Sequence, residues 1–388
     1  LQFWTRSFEP MIDFPNSPTV GQQFTAAGVT WTWDGTKWTG NGLNTPYLPL
    51  AGGTLSGPLT LAGNPTVPLG SATKQYVDAG DLLNSAGGFI NKFRNGAFYI
   101  WQRGVGPISI AAGLNGYTAD GWIVAPTGAA ASVGQGGKIS GAYSRNSFII
   151  SGASGLTGCF VQHRIESYVA APLAGRTCTF QCRVLNNMAN PVTLVLSTQT
   201  MNTPDAAVPN TGDLSATSLQ TIAAGATGVV ALTFNVGANA ANGYIVNLNY
   251  GASLNAATGN IIITDCDLRV TPGLPVGLNV TPPPPEMRDV VSDALLCLRY
   301  FWTVGNLIAL TTANPTWLTQ ATYLLPVPQR GLPTVTNASF LASSGNNGVV
   351  SLSTLAPTQF TFTNSASNWT QGAGGAIVQF SANFSSEL

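Results

Sequence analysis

Arg176-Thr-Cys-Thr-Phe-Gln-Cys-Arg-Val184 alternates without a break, so Cys178, Phe180, Cys182 and Val184 share one face of an extended strand. Similar runs recur through the middle of the chain: Ala97 to Trp101, Ser147 to Ile150, Phe160 to Ile165, Val192 to Ser197, Val229 to Asn235, Tyr244 to Tyr250 and Ile261 to Val270. Polar and glycine-rich turns separate them, and no amphipathic helix pattern intervenes. Short strands spaced in this way predict an antiparallel sandwich over residues 89–277, in jelly-roll form. The fold class expected for the whole chain is mainly β.

Composition agrees with a strand-and-turn protein. Only 8% of the 388 residues are charged, against an average of about 25%. Hydrophobic residues make up 44% and tryptophans number nine, which argues against disorder. A chain of this length holds several cores. Lys plus Arg equals Asp plus Glu at 15 each, with no basic cluster to neutralise phosphates. Neither nucleic acid nor an anionic membrane surface is an expected partner. No apolar stretch reaches about 18 residues, so no membrane insertion is expected. The sequence opens at Leu1, without a methionine and without the layout of a signal peptide, so a short preceding piece is expected. Five irregularly spaced cysteines fit neither a disulfide framework nor a zinc site, and they read as small core hydrophobes. No metal and no cofactor are expected.

Residues 1–46 hold Val29-Thr-Trp-Thr-Trp-Asp-Gly-Thr-Lys-Trp38, two strand-like pieces around an Asp-Gly turn. Trp31 and Trp33 share a face that Trp38 can cover, making a miniature aromatic core. Residues 47–88 begin with a Gly/Pro-rich ribbon in which Leu50-Ala-Gly52 is echoed by Leu61-Ala-Gly63, a segment with no core of its own. Ser71 then caps a short coiled-coil-like helix with Ala72, Tyr76, Ala79, Leu83 and Ala86 along one seam. So short a helix needs a partner, whether other copies of the chain or the chain's own neighbouring domain. In residues 278–388, Thr281-Pro-Pro-Pro-Pro-Glu286 reads as a stiff polyproline linker marking a boundary. A helix from Glu286 to about Tyr300 is expected behind it, with Met287, Val290, Val291, Ala294 and Leu298 as its buried stripe. A small C-terminal β module ending near Phe384 follows.

The segment from Leu50-Ala-Gly-Gly-Thr-Leu-Ser-Gly-Pro-Leu-Thr-Leu61 to Ala72-Thr-Lys-Gln-Tyr-Val-Asp78 closely resembles a repeat of bacteriophage tail-fibre proteins. The Trp-Asp-Gly-Thr-Lys-Trp motif before it is similar to modules near the N-termini of phage structural proteins. Asn95-Gly-Ala-Phe98, Trp101-Gln-Arg-Gly104 and Tyr117-Thr-Ala-Asp-Gly-Trp122 resemble the opening of a sandwich module of such fibres, itself similar to carbohydrate-binding jelly rolls. That pattern usually carries Arg where this chain has Gly121. Cys297-Leu-Arg-Tyr-Phe301 and Pro326-Val-Pro-Gln-Arg-Gly-Leu-Pro-Thr-Val335 resemble a terminal fibre module, with Leu298 and Phe301 departing from its usual Cys-Gln-Arg-Tyr-Tyr. The resemblance implies an elongated, multi-module homotrimer, attached to other virion proteins at its N-terminal end and facing the host at the other. It places the chain on the virion, after synthesis in the host cytoplasm.

Catalytic candidates are sparse. His163 alternates with Val161 and Ile165 and faces a core, and no serine-nucleophile signature accompanies it. Carboxylates are scattered singly rather than paired as in glycosidases. Asp265 and Asp267 share a face of one strand, open to a cation or, as expected here, to solvent. No catalytic residue is assigned, and the chain is expected not to be an enzyme. Sugar binding uses aromatic faces beside Asn, Ser and Thr, and Trp302, Trp317, Tyr323 and Trp369 are the candidates for glycan contact. The function expected is a tail fibre that attaches to the bacterial surface through glycans, with weak sites multiplied by valency. Such neutral contacts would persist at high salt. An architectural collar, neck or head fibre, and a polysaccharide depolymerase tailspike, are the rival expectations.

Overall fold

The computed structural model describes residues 12–26, 28–41, 89–206, 208–255, 258–311, 319–343, 349–365 and 376–387. They belong to two compact units, one within residues 1–63 and one within residues 64–388. The Gly/Pro ribbon and the seam Ala72, Tyr76, Ala79, Leu83 and Ala86 lie outside the described residues.

In the first unit β1 (Gln23–Ala26), β2 (Val29–Trp33) and β3 (Trp38–Asn41) form an antiparallel three-stranded sheet. The turn between β2 and β3 is held by Asp34 Oδ1, which accepts from the backbone N–H groups of Thr36 and Lys37, both at 2.9 Å. Trp33 lies opposite Trp38 in register, with ring centroids 5.7 Å apart. Phe14 stacks on Trp38 at 5.3 Å and meets Trp31 edge-on at 5.3 Å, so Trp38 covers Trp33 as the alternation implied while Trp31 is met by Phe14, a ring the hairpin pattern did not include.

The sandwich of the second unit uses β4 (Ile108–Ile110), β5 (Gly116–Tyr117), β6 (Trp122–Thr127), β7 (Ala131–Gly136), β8 (Ser147–Gly152), β9 (Gly158–Ile165), β10 (Thr177–Asn186) and β11 (Val192–Thr200). It continues with β12 (Ser215–Ile222), β13 (Thr227–Asn235), β14 (Tyr244–Asn249), β15 (Ile261–Val270) and β16 (Gly277–Leu278). One sheet runs β16-β13-β10-β15-β8-β7-β4 and the other β12-β11-β14-β9-β6-β5. Each pairing within them is antiparallel. Their inner faces supply a single core in which Cys178, Phe180, Cys182 and Val184 are each at most 1% exposed. Burial of Phe180 or Val184 contributes roughly 1.5–3 kcal/mol.

Two local expectations fail in the sandwich. Ala97 to Trp101 is not a strand, because Asn95 and Phe98 take left-handed backbone angles (φ 53° and 55°) and fold the segment into turns. Asp265 and Asp267 do not face solvent, being 3% and 0% exposed. A bulge between β10 and β15 sets Asp265 at φ 53°, where its carboxylate accepts from the N–H groups of Tyr143 and Ser144 at 2.9 Å each. Asp267 instead pairs with Arg269 and accepts from Gln181 Nε2 at 3.1 Å.

The proline run lies against the sandwich. Gln181 Nε2 donates to the Pro283 carbonyl at 2.6 Å and Arg269 Nη2 to that of Pro284 at 2.8 Å. The helix begins at Val290, not Glu286, with Asp289 as N-cap accepting from Ser292 N–H at 2.9 Å. The expected stripe is only partly buried: Met287, Ala294 and Leu298 are half-buried, Val290 and Val291 are 48% and 68% exposed, and the most buried residues of the helix are Asp293 and Cys297, at 2% and 1%. Polar docking to the sandwich, described below, outweighs the apolar stripe in setting the helix rotation.

The terminal strands form two antiparallel sheets. One orders β17 (Phe301–Thr311), β22 (Ala376–Ser385) and β19 (Thr334–Ser343); the other orders β18 (Thr319–Leu324), β21 (Gln359–Ser365) and β20 (Val349–Ala356). Phe360 of β21 and Phe384 of β22, both 0% exposed, sit 4.6 Å apart and join the sheets.

Candidate functional site

The motifs singled out in the sequence converge on one junction. Asn95 Oδ1 accepts from Ile100 N–H at 3.0 Å while its Nδ2 donates to the carbonyls of Ile100 and Asp120, and Trp122 Nε1 donates to the Asn95 carbonyl at 3.1 Å. Gln102 reaches Asp120 through its backbone N–H at 2.8 Å and its side chain at 3.0 Å. The same Gln102 Nε2 donates to the Phe301 carbonyl at 2.8 Å, Arg103 lies 3.5 Å over the Phe301 ring, and Arg94 lies 3.8 Å over the Tyr300 ring. Gln329 Nε2 donates to the Leu298 carbonyl at 2.5 Å, and Glu387 of the last turn of chain pairs with Arg94 (3.4 Å) and Arg103 (3.1 Å). The sandwich motifs and the terminal motifs are therefore the two halves of one polar seam.

Gly121, which departs from the fibre pattern, now has a reason. Its φ is +84°, and a Cβ there would meet Arg94 Nε at 2.7 Å. The space belongs to the Arg94 guanidinium.

His163 is a structural imidazole. It is 0% exposed, lies between Phe93 and Trp122 (centroids 4.9 and 4.8 Å), accepts the Arg94 N–H on Nε2 at 3.0 Å and sits 3.0 Å from the Gly121 carbonyl through Nδ1. Nδ1 therefore carries the proton. Burial, with Arg94 next, holds its pKa well below the ordinary value. Burial likewise pushes Asp120 and Asp267 up to about 6. Both are at most 1% exposed; Asp120 is bonded by Gln102, and Asp267 by Arg269 and Gln181 through Oδ2, with Oδ1 buried and unpartnered among the described residues.

Beside the seam, the sandwich and the helix enclose a cleft of about 200 Å³. Strand β9 ends at Ile165, Glu166 follows as the N-cap position, and the helical turn Ser167–Ala170 carries Tyr168 and Val169 to the cleft. That turn is pinned by Asp205, which accepts from Ser167 N–H at 2.7 Å. Phe89, Asn91, Lys92 and Arg94 form a second wall, and Arg288, Leu296, Arg299 and Tyr300 a third. Glu166, 2% exposed, accepts from Tyr300 Oη at 2.6 Å and Arg299 Nε at 3.1 Å. Tyr168 is 56% exposed, with Arg299 5.5 Å over its ring. Asn91 is committed to structure, its side chain bonding Cys266, Phe93 and Leu268 backbone atoms. The cleft thus offers aromatic and aliphatic surface ringed by cationic heads.

None of these wall residues was a glycan candidate from sequence. They come from separate segments, and the single legible signal was Leu298-Arg299-Tyr300 within a resemblance motif. In a chain with only 15 Lys and Arg, four of them line this one cleft, a concentration that sequence order hides. Of the expected glycan residues, Trp302 is half-buried in the terminal module, stacked on Phe384 at 5.4 Å and 6.0 Å from Phe360. Trp317, Trp369 and the side chain of Tyr323 lie outside the described residues.

No family model matches the chain, and no curated protein matches it. Solved structures similar to part of it include the enzymatically active domain of tailspike protein 4 of bacteriophage CBA120 (17% identity, TM-score 0.33, 47% of this chain and 22% of that one). Another is the CBM22-1–GH10 portion of xylanase 10B of Clostridium thermocellum (13%, 0.27, 42% and 28%). A third is the CBM22-2 xylan-binding domain of Xyn10C from Paenibacillus barcinonensis (13%, 0.29, 47% and 99%). This chain spans less than a third of the first two. At these scores the likenesses assign neither family nor activity.

Proposed function

We propose that the chain is a fibre-type attachment protein of a tailed bacteriophage, a homotrimer that is carried on the virion through residues 1–46 and binds bacterial surface glycan without cleaving it. The order of the fibre-like motifs supports the appendage. The observation that carries the binding function is the cleft between sandwich and helix, with the half-exposed Tyr168 at its edge and Phe89, Ile165, Val169 and Leu296 as apolar lining. Sugars are held in this way, with C–H faces on apolar or aromatic surface and polar groups meeting the substituents. The absence of cleavage is supported by the placing of Asp120 and Asp267, inside and already bonded.

The test is adsorption. Purified protein, added before phage, is expected to protect cells from infection, and host surface polysaccharide is expected to bind it and stay full length. Tyr168→Ala should weaken both effects. Unchanged adsorption with no polysaccharide binding would overturn the attachment reading in favour of an architectural fibre, and a fall in polymer size would overturn it in favour of a depolymerase.

A further inference from the structure

We infer that the cleft is specific for a carboxylated sugar, a single uronic-acid-type ring, rather than for a neutral one; this rests on the glycan-binding reading above. Its lining has the wrong charge for a neutral ligand. The lining holds Lys92, Arg94, Arg288 and Arg299 against a single carboxylate, Glu166, which is already bonded to Tyr300 and Arg299. The other counter-ions sit behind: Glu387 on Arg94 at 3.4 Å and Asp293 on Arg288 at 3.2 Å.

Lys92 is different. Its Nζ donates to the Phe89 carbonyl at 2.6 Å, and among the described residues no carboxylate lies within ion-pair distance of it. Glu286, the acid that acts on it from further off, is bonded to Asn91 N–H. Arg288, 94% buried, keeps an Nη2 with no hydrogen-bond acceptor among the described residues. A buried donor without a partner is costly, and an anion beside Lys92 and Arg288 would offset that cost. The apolar lining of Ile165, Val169 and Leu296 asks in turn for a ring with a C–H face, which an inorganic anion lacks. At about 200 Å³ the space falls below that of sites for larger ligands, which start near 300 Å³, and suits one ring.

The experiment uses the full chain and compares methyl glucuronide, methyl glucoside and inorganic phosphate by ligand-observed NMR and calorimetry. Host polysaccharide is tested beside the same polymer after chemical reduction of its carboxyl groups. The glucuronide is expected to bind at least about tenfold more tightly than the glucoside, to weaken by about tenfold in Lys92→Met, and to weaken as salt rises. Lys92→Met keeps the aliphatic stem, and an unchanged melting temperature and circular dichroism spectrum show that it folds. Equal binding of native and reduced polymer would overturn the carboxylate specificity while leaving glycan binding intact. Binding of neither polymer would sink both. Phosphate competing as well as glucuronide would mark a general anion site and overturn the assignment to a sugar.

Discussion

At the level of single residues, charge burial sets the pH behaviour. Unfolded His163 takes up a proton near pH 6.5, whereas the folded imidazole, enclosed by Phe93 and Trp122 and facing Arg94, does so only at much lower pH. Stability from this residue is complete above pH 6.5 and falls by about 1.4 kcal/mol per unit below it, down to the folded pKa. Asp120 and Asp267 act in the opposite sense, since burial raises them to about 6 and their contribution falls as pH rises from 3.8 towards 6. His163→Gln should therefore remove one proton's worth of acid sensitivity between pH 5 and 6.5. Urea melts of both proteins across that range check it, and parallel slopes would contradict it. Gly121→Ala forces a left-handed φ on a side chain and pushes on an Arg94 already fixed by Glu387, Tyr300 and the Arg164 carbonyl. A loss of about 1–3 kcal/mol is expected in the same melts.

At the level of elements, alternation located the central strands because each has one face in the core and one outside. It located the terminal helix but misjudged its orientation. Val290 and Val291 belong to the expected stripe, yet the side that docks carries Asp293, which accepts from Asn95 N–H at 3.2 Å and pairs with Arg288. A polar partner on another segment leaves no mark on hydrophobic periodicity. The terminal sheets depend instead on the rings of Trp302, Phe360 and Phe384. Phe384→Ala should cost about 3–5 kcal/mol and open the terminal sheets first. Hydrogen exchange of β21 and β22 would show it, and unchanged protection there would count against the shared core.

At the level of the whole molecule, the seam bonds the sandwich to the terminal module despite the proline run between them, and a single cooperative transition is expected. Glu387 neutralises Arg94 and Arg103 at once, with side-chain exposures of 5%, 7% and 17%. Glu387→Gln leaves Arg94 without a carboxylate partner among the described residues and Arg103 with Asp120 alone, 3.6 Å away, and a loss of about 3–5 kcal/mol with a single lowered transition is expected by calorimetry. Two separate transitions would show that the halves melt independently. The proposed trimer is tested by sedimentation, where a mass of three chains is expected, and a compact single chain at low micromolar concentration would refute it.

Local alternation and turn chemistry suffice for the β class, the aromatic hairpin of residues 29–38 and the inward faces of the central strands. The partners of the charges come from segments that only the folded chain brings together. With so few in the chain, each of Arg94, Glu166, Asp293 and Glu387 finds its role through a partner far away in sequence, and Coulomb attraction across a low-dielectric interior follows distance in space, which residue order does not record.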